Sequence, residues 1–319
     1  MNQEQEQKQK QKIRVILPGG GVRGCFQLGV LHKLLESNKY TVDQVFGTSI
    51  GAILAPFVAC ENIAPIKSYF DKITSLTDVI QPHQLFGINL TSTLMLGVMI
   101  VLKMGAYKSI KIVDYIEKNL TEEQLAIAEQ KCHVVAYDMT NQTNTWFSGK
   151  SLLEGIRCSS ALFVAVPPIE YNNTVYTDGG ITEMYPLDYI LEKEANDNFD
   201  GMYYFIDCST RKSLPTPKPT NIFTFIWQLI CTPSNRLCEF ELEKMKKNFG
   251  DKLVIIRPEI DILQNSLDIN TERMKQTFTN GCDQATRFLQ DVHNTENDQK
   301  YTPKINPITV VEYFYKRSG

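Results

Sequence analysis

The 319 residues, 43% hydrophobic and 22% charged, can bury a large core and are too apolar for a disordered or fibrous chain. A formal net charge of -3 excludes a nucleic-acid binder held by bulk charge. The eight cysteines (Cys25, Cys60, Cys132, Cys158, Cys208, Cys231, Cys238 and Cys282) form no C-x-x-C pair and sit mostly among apolar neighbours, so they read as reduced, buried small hydrophobes of an intracellular protein rather than a disulfide framework or a zinc site.

Residues 1–12 are a Gln/Glu/Lys run with no apolar residue after Met1, expected to form a disordered tail ahead of a domain spanning 13–319. No signal or transit peptide is read in them. Ile13-Arg14-Val15-Ile16-Leu17 predicts a buried strand, and residues 25–37 a helix with Phe26, Leu28, Val30, Leu31, Leu34 and Leu35 in its apolar positions. Between them stands Pro18-Gly19-Gly20-Gly21-Val22-Arg23-Gly24, and a strand–glycine loop–helix arrangement aims several backbone N–H groups at one point. Three readings compete for the loop. Gly19, Gly21 and Gly24 fit G-x-G-x-x-G, but a dinucleotide site wants an acid closing the second strand, and Asp43 is expected to precede that strand. A Walker-type phosphate loop wants Gly-Lys-Ser/Thr, which does not follow. The third reading is an oxyanion hole, with amides near Gly20 and Gly21 facing the next strand–helix junction.

That junction is Gln44-Val45-Phe46-Gly47-Thr48-Ser49-Ile50-Gly51, read as a short strand, a tight turn with Ser49 at its apex, and a helix that starts at once. Glycines at 47 and 51 give G-x-S-x-G, where any Cβ would collide with the facing strand or helix. The alternative is a glycine-flanked serine that only caps a helix. In a parallel sheet the carboxyl ends of neighbouring strands share one crevice, so the serine turn and the glycine loop can meet.

Further on, residues 63–75 predict a helix. Residues 84–102 carry no charge but are interrupted by Asn89, Thr91, Ser92 and Thr93, which makes a membrane span too short and leaves a buried helix or a lipid-facing lid. Residues 110–119 predict a helix, 132–137 and 143–147 strands, and 151–160 a helix ending in Cys158-Ser159-Ser160-Ala161. Pro167-Pro168, a hairpin turning at Asn172-Asn173, and Val175-Tyr176-Thr177 lead into Asp178-Gly179-Gly180. Residues 201–207 and 252–257 predict strands, 223–230 an apolar helix for which core is favoured over membrane surface, 271–293 a long helix, and 310–315 a docked aromatic end segment.

Three motifs in this order, Gly19-Gly20-Gly21-Val22-Arg23-Gly24, Gly47-Thr48-Ser49-Ile50-Gly51 and Asp178-Gly179-Gly180, resemble those of the patatin-like phospholipases, over roughly residues 13–210. The resemblance implies an α/β fold in three layers, a central, mostly parallel sheet flanked by helices. It implies a lipid acyl hydrolase using a Ser49–Asp178 dyad, with Gly20 and Gly21 in the oxyanion hole, Gly19 and Gly24 completing that loop, and neither cofactor nor metal. The family often has Asn-x-Pro soon after its aspartate, whereas Glu183-Met184-Tyr185-Pro186 stands here.

A serine hydroxyl needs a base. A Ser49–Asp178–His293 triad has the chain order of an α/β-hydrolase, but only one strand–helix unit precedes Ser49, and His293 lies in a polar stretch. A carboxylate base works if burial raises its pKa, for which Tyr176, Tyr185, Val166 and the diproline are the expected surround. Arg23 either holds a lipid phosphate or braces the loop. The expected partners are a phospholipid or acylglycerol and, peripherally, a membrane surface. The competing class is a non-catalytic or nucleotide-binding α/β protein that uses the Gly19–Gly24 loop.

Overall fold

Strands that are apolar on both faces, each followed by a helix, bury themselves as a parallel sheet between two helical layers. The computed structural model describes residues 10–85, 88–89, 92, 95, 97–99, 103–163, 165–194, 197–210, 218, 222–263 and 265–297. The aromatic segment 310–315, residues 1–9 of the tail and parts of 84–102 lie outside them.

In chain order, β1 (Gln11–Leu17) leads through the glycine loop to α1 (Gly24–Glu36), and β2 (Tyr40–Thr48) turns into α2 (Ile50–Ala59). Next come α3 (Ala64–Phe70), α4 (Leu76–Val79) and four short strands, β3 (Ile80–Pro82), β4 (Gln84–Leu85), β5 (Ile88–Asn89) and β6 (Tyr107–Ile110). Helices α5 (Lys111–Asn119) and α6 (Glu122–Lys131) precede the β7–β8 hairpin (Cys132–Asp138, Thr143–Phe147) and α7 (Leu152–Ser159). The β9–β10 hairpin (Ile169–Tyr171, Thr174–Asp178) is followed by α8 (Asp188–Glu194), β11 (Met202–Ile206), α9 (Ile222–Phe249), β12 (Leu253–Ile256) and α10 (Thr271–Asn297). Asn172 and Asn173 both adopt positive φ at the tip of that hairpin, as the predicted turn requires.

The main sheet runs β12-β11-β1-β2-β7-β10-β9, with β8 also on β7. From β12 to β7 every pairing is parallel, and the β7, β8, β9, β10 end is antiparallel. Alternate residues feed two cores. Val15 and Leu17 join the one under α1, α2 and α10, while Ile16, Phe46 and Phe205 join the one under α8 and α9. This is the expected three-layer α/β/α arrangement.

Four expectations are corrected. β1 begins at Gln11, pairing Gln11 with Tyr40 and Lys12 with Thr41, so residues 11 and 12 belong to the sheet and not to a tail. Asp43 lies within β2 rather than before it, and its carboxylate accepts a bond from Arg14. Phe225 and Leu229 of α9 are exposed, so that stretch is not simply core. In 84–102, the described side chains of Met95 and Val98 are exposed, which removes the buried-helix reading for them.

Candidate active site

Ser49 sits between β2 and α2 with φ 55° and ψ -117°, a left-handed conformation that a non-glycine residue adopts only when its surroundings impose it. The imposition is visible at the flanking glycines. A Cβ on Gly51 would stand 1.9 Å from the Leu17 carbonyl oxygen, and one on Gly47 would stand 2.6 Å from that of Gly51. The predicted collision is thus present on both sides of the turn.

The Ser49 hydroxyl donates to Asp178 Oδ2 at 2.6 Å. Strand register explains how residues so far apart in sequence come together. β7 pairs with β2 along its first half and with β10 along its second; Val135 faces Thr48 and the next residue, Ala136, faces Asp178. The end of α7 locks both partners. Ser159 Oγ accepts the Ser49 N–H at 2.9 Å, and the Ala161 carbonyl accepts the Asp178 N–H at 3.0 Å and the Thr177 hydroxyl at 2.9 Å. The small residues of Cys158-Ser159-Ser160-Ala161 permit these close approaches.

Asp178 is 3% exposed, and burial pushes its pKa up to about 6 against the opposing effect of bonds from the Ser49 hydroxyl and the Gly180 N–H. Its two oxygens are therefore both engaged, one by each donor. Met184 stands where the family's asparagine is expected, and Glu183 before it keeps the segment tied to the serine turn through its backbone: its carbonyl accepts from Thr48 Oγ1 at 3.2 Å and its N–H donates to Gly179 O at 2.8 Å. Tyr185 is not part of the apolar surround; it is buried in the second core and donates to Asp207 Oδ2 at 2.6 Å.

The glycine loop passes directly over the serine, where a Cβ on Gly19 would lie 3.1 Å from Ser49 Cβ. Gly21 and Ser49 line one cavity walled by apolar side chains including Ile53, Phe70, Ile73, Val79, Ile110 and Leu267. Arg23 donates to the Leu263 carbonyl at 3.2 Å and to Ser209 Oγ at 3.4 Å, which fits the bracing reading. Among the described side chains no histidine bonds to Ser49 or Asp178. His133 bonds Tyr189 and Lys193, His83 contacts the Gly105 carbonyl, and His32 packs on Phe278. Two contributors escaped the sequence reading, Ser159 and the Glu183 backbone, and only the run of small residues at 158–161 marked the first of them.

A sequence model of the family described as patatin-like phospholipase matches residues 15–191. The chain belongs to the patatin-like phospholipase family. Over 198 residues it is 27% identical to "Lysophospholipase NTE1" of Mycosarcoma maydis, a match covering 59% of this chain and 9% of that protein. The chain therefore spans less than a tenth of that relative's length. Among solved structures it is similar to VipD from Legionella pneumophila (TM-score 0.43, 13% identity, 89% of this chain and 67% of that one). It is also similar to the type III effector protein ExoU (TM-score 0.30, 11% identity, 88% and 53%). No described helix of this patatin-like chain is long and apolar enough to cross a membrane.

Proposed function

We propose that this patatin-like protein cleaves carboxylic esters of phospholipids or acylglycerols through an acyl-enzyme formed on Ser49. The observation that carries the proposal is the 2.6 Å contact between the Ser49 hydroxyl and a buried carboxylate at an apolar cavity. Asp178 accepts the serine proton as the hydroxyl oxygen attacks the ester carbonyl, and amides of Gly20 and Gly21 stabilise the oxyanion. Such a donor typically lowers the barrier by about 3 kcal/mol. The tetrahedral adduct collapses, the alcohol leaves with that proton, and the acyl group remains on Ser49. Asp178 then takes a proton from water as the water oxygen attacks the acyl carbonyl, and it returns that proton to the Ser49 oxygen as the adduct collapses and releases the fatty acid. No histidine is required in this cycle, because burial has already moved the carboxylate toward the working range.

The cavity lining suits an acyl chain rather than a nucleotide, whose phosphates would want charged partners. The name of the relative from Mycosarcoma maydis supports a monoacyl phospholipid as the first substrate to try. Phe163 is exposed next to the cavity-lining Leu162, and Leu267 lines the cavity while still 38% exposed. These side chains support docking on a lipid surface.

The test compares purified wild type with Ser49→Ala on a lysophospholipid, a diacyl phospholipid and a diacylglycerol, with products identified by mass. Release of fatty acid by the wild type only is expected. Equal release by both proteins, or fluorophosphonate labelling that survives the substitution, would sink the assignment.

A further inference from the structure

The carboxyl ends of β1 and β11 are neighbours, with Ile16 paired to Phe205, so the residues after each strand run side by side. Gln27 fastens them together by donating to the carbonyls of both Pro18 and Ile206, each at 3.0 Å. One step further, the Cys208 thiol donates to the Gly19 carbonyl at 3.1 Å. The Gly19–Gly20 peptide lies between two side chains. A Cβ on Gly20 would fall 2.1 Å from Cys208 Sγ, while one on Gly19 would fall 3.1 Å from Ser49 Cβ.

In a trans peptide the carbonyl and the following N–H point in opposite directions. No cis bond occurs among the described residues. Turning the Gly19 oxygen toward Cys208 therefore turns the Gly20 N–H away from it, toward the side where Ser49 stands. Cys208 is itself held firmly: it is buried, and its N–H donates to Asp207 Oδ1 at 2.8 Å, while Asp207 Oδ2 accepts from Tyr185. A thiol is a weak donor, but its large sulfur also fills the space that a glycine at position 20 leaves open.

We propose that Cys208 is a positioning residue that sets the orientation of the Gly19–Gly20 peptide and so aims the Gly20 N–H at the oxyanion. This rests on the reading of Gly20 as an oxyanion donor. Cys208 touches no reacting atom in this scheme, and its effect is confined to the transition state and to the tetrahedral adduct. Ground-state binding in the apolar cavity is untouched.

The test uses Cys208→Ala and Cys208→Ser in the full chain, with Ser49→Ala as control. Hydrolysis of a soluble short-chain p-nitrophenyl ester is measured together with inhibition by a trifluoromethyl ketone, which forms an oxyanion adduct on the serine, and by a non-reactive alkyl amide of equal length. For Cys208→Ala, kcat and ketone affinity should both fall about tenfold, less than the roughly hundredfold or more for outright loss of an oxyanion donor, because the Gly20 N–H is misaimed and not removed. KM and amide affinity should stay within about twofold, because uniform binding is unaffected. Cys208→Ser, which keeps a donor, should recover most of the loss. The inference is overturned if Cys208→Ala leaves kcat and ketone affinity unchanged. It is also overturned if the alanine and serine variants lose ketone and amide affinity in parallel, as a packing defect would produce. Should Ser49→Ala retain full activity, the underlying site reading fails, and a dead Ser49→Ala beside an unaffected Cys208→Ala defeats the positioning role alone.

Discussion

Two of the buried carboxylate regions on this fold differ in what surrounds the acid. At the end of β10, Asp178 has one oxygen on the Ser49 hydroxyl and the other on the Gly180 N–H, and it opens onto a cavity through its partner. Around α8 and α9, Glu183 and Glu241 are pushed up to about 7 and about 8, first by burial and then by neighbouring carboxylates, Asp188 for the former and Glu183 for the latter. Glu183 is held by Asn144 Nδ2 and the Asp188 N–H, whereas one oxygen of Glu241 is buried without a partner among the described residues. Burial is the largest cause of the rise in both places. What separates them is a hydroxyl within bonding distance and a space for substrate, so a shifted pKa marks desolvation and only the geometry marks chemistry.

The largest expected contrast comes from neutralising each acid. Asp178→Asn should lower kcat on a lysophospholipid by roughly a thousandfold or more with the fold intact by circular dichroism, as losses within a catalytic unit do. Glu241→Gln should leave kcat within about twofold. If the two variants lose activity equally, the distinction between the regions collapses.

A second contrast is in pH. The base must be ionised, so kcat/KM should fall about tenfold per pH unit below the Asp178 pKa of about 6 and level off above it. A profile still rising steeply above pH 8 would point to a different base. Stability should run the other way. A carboxylate whose folded pKa is raised contributes stability that is fully present below its unfolded pKa, near 4, and lost as pH rises through the folded value. Glu241→Gln should therefore stabilise the protein at pH 9, on the order of 2 kcal/mol by urea unfolding, and have little effect at pH 4. Asp178→Asn should share this sign, so that one substitution stabilises at the expense of activity and the other stabilises freely.

The smallest effect is expected at the surface. Phe163→Asp should reduce co-sedimentation with phosphatidylcholine vesicles severalfold while hydrolysis of a soluble ester stays within about twofold of wild type. Undiminished vesicle binding would remove Phe163 from the docking surface.

The serine turn was legible because its constraints are local: Gly47, Ser49 and Gly51 are fixed by one strand–helix corner, and the clashes they avoid involve immediate neighbours. Asp178 was legible only through motif order, since nothing near it in sequence distinguishes it from an ordinary Asp-Gly turn. The rest depends on tertiary pairing. Ser159 reaches Ser49 across 110 positions and Cys208 reaches Gly19 across 189, and no periodicity encodes either contact. Helix α6 escaped the sequence reading although Thr121 and Gln124 form a capping box, because its apolar face is narrow. The apolar start of α9 misled in the opposite direction: hydrophobicity shows that a segment avoids water, and does not say whether protein or lipid will cover it.

The spacing between Ser49 and Asp178 is set by a single peptide step along β7, from Val135 to Ala136. Alcohol and acid are thus mounted on one rigid rail with no hinge between them, and their contact is made before any substrate arrives. Control over such a pair has little to gain from assembling it.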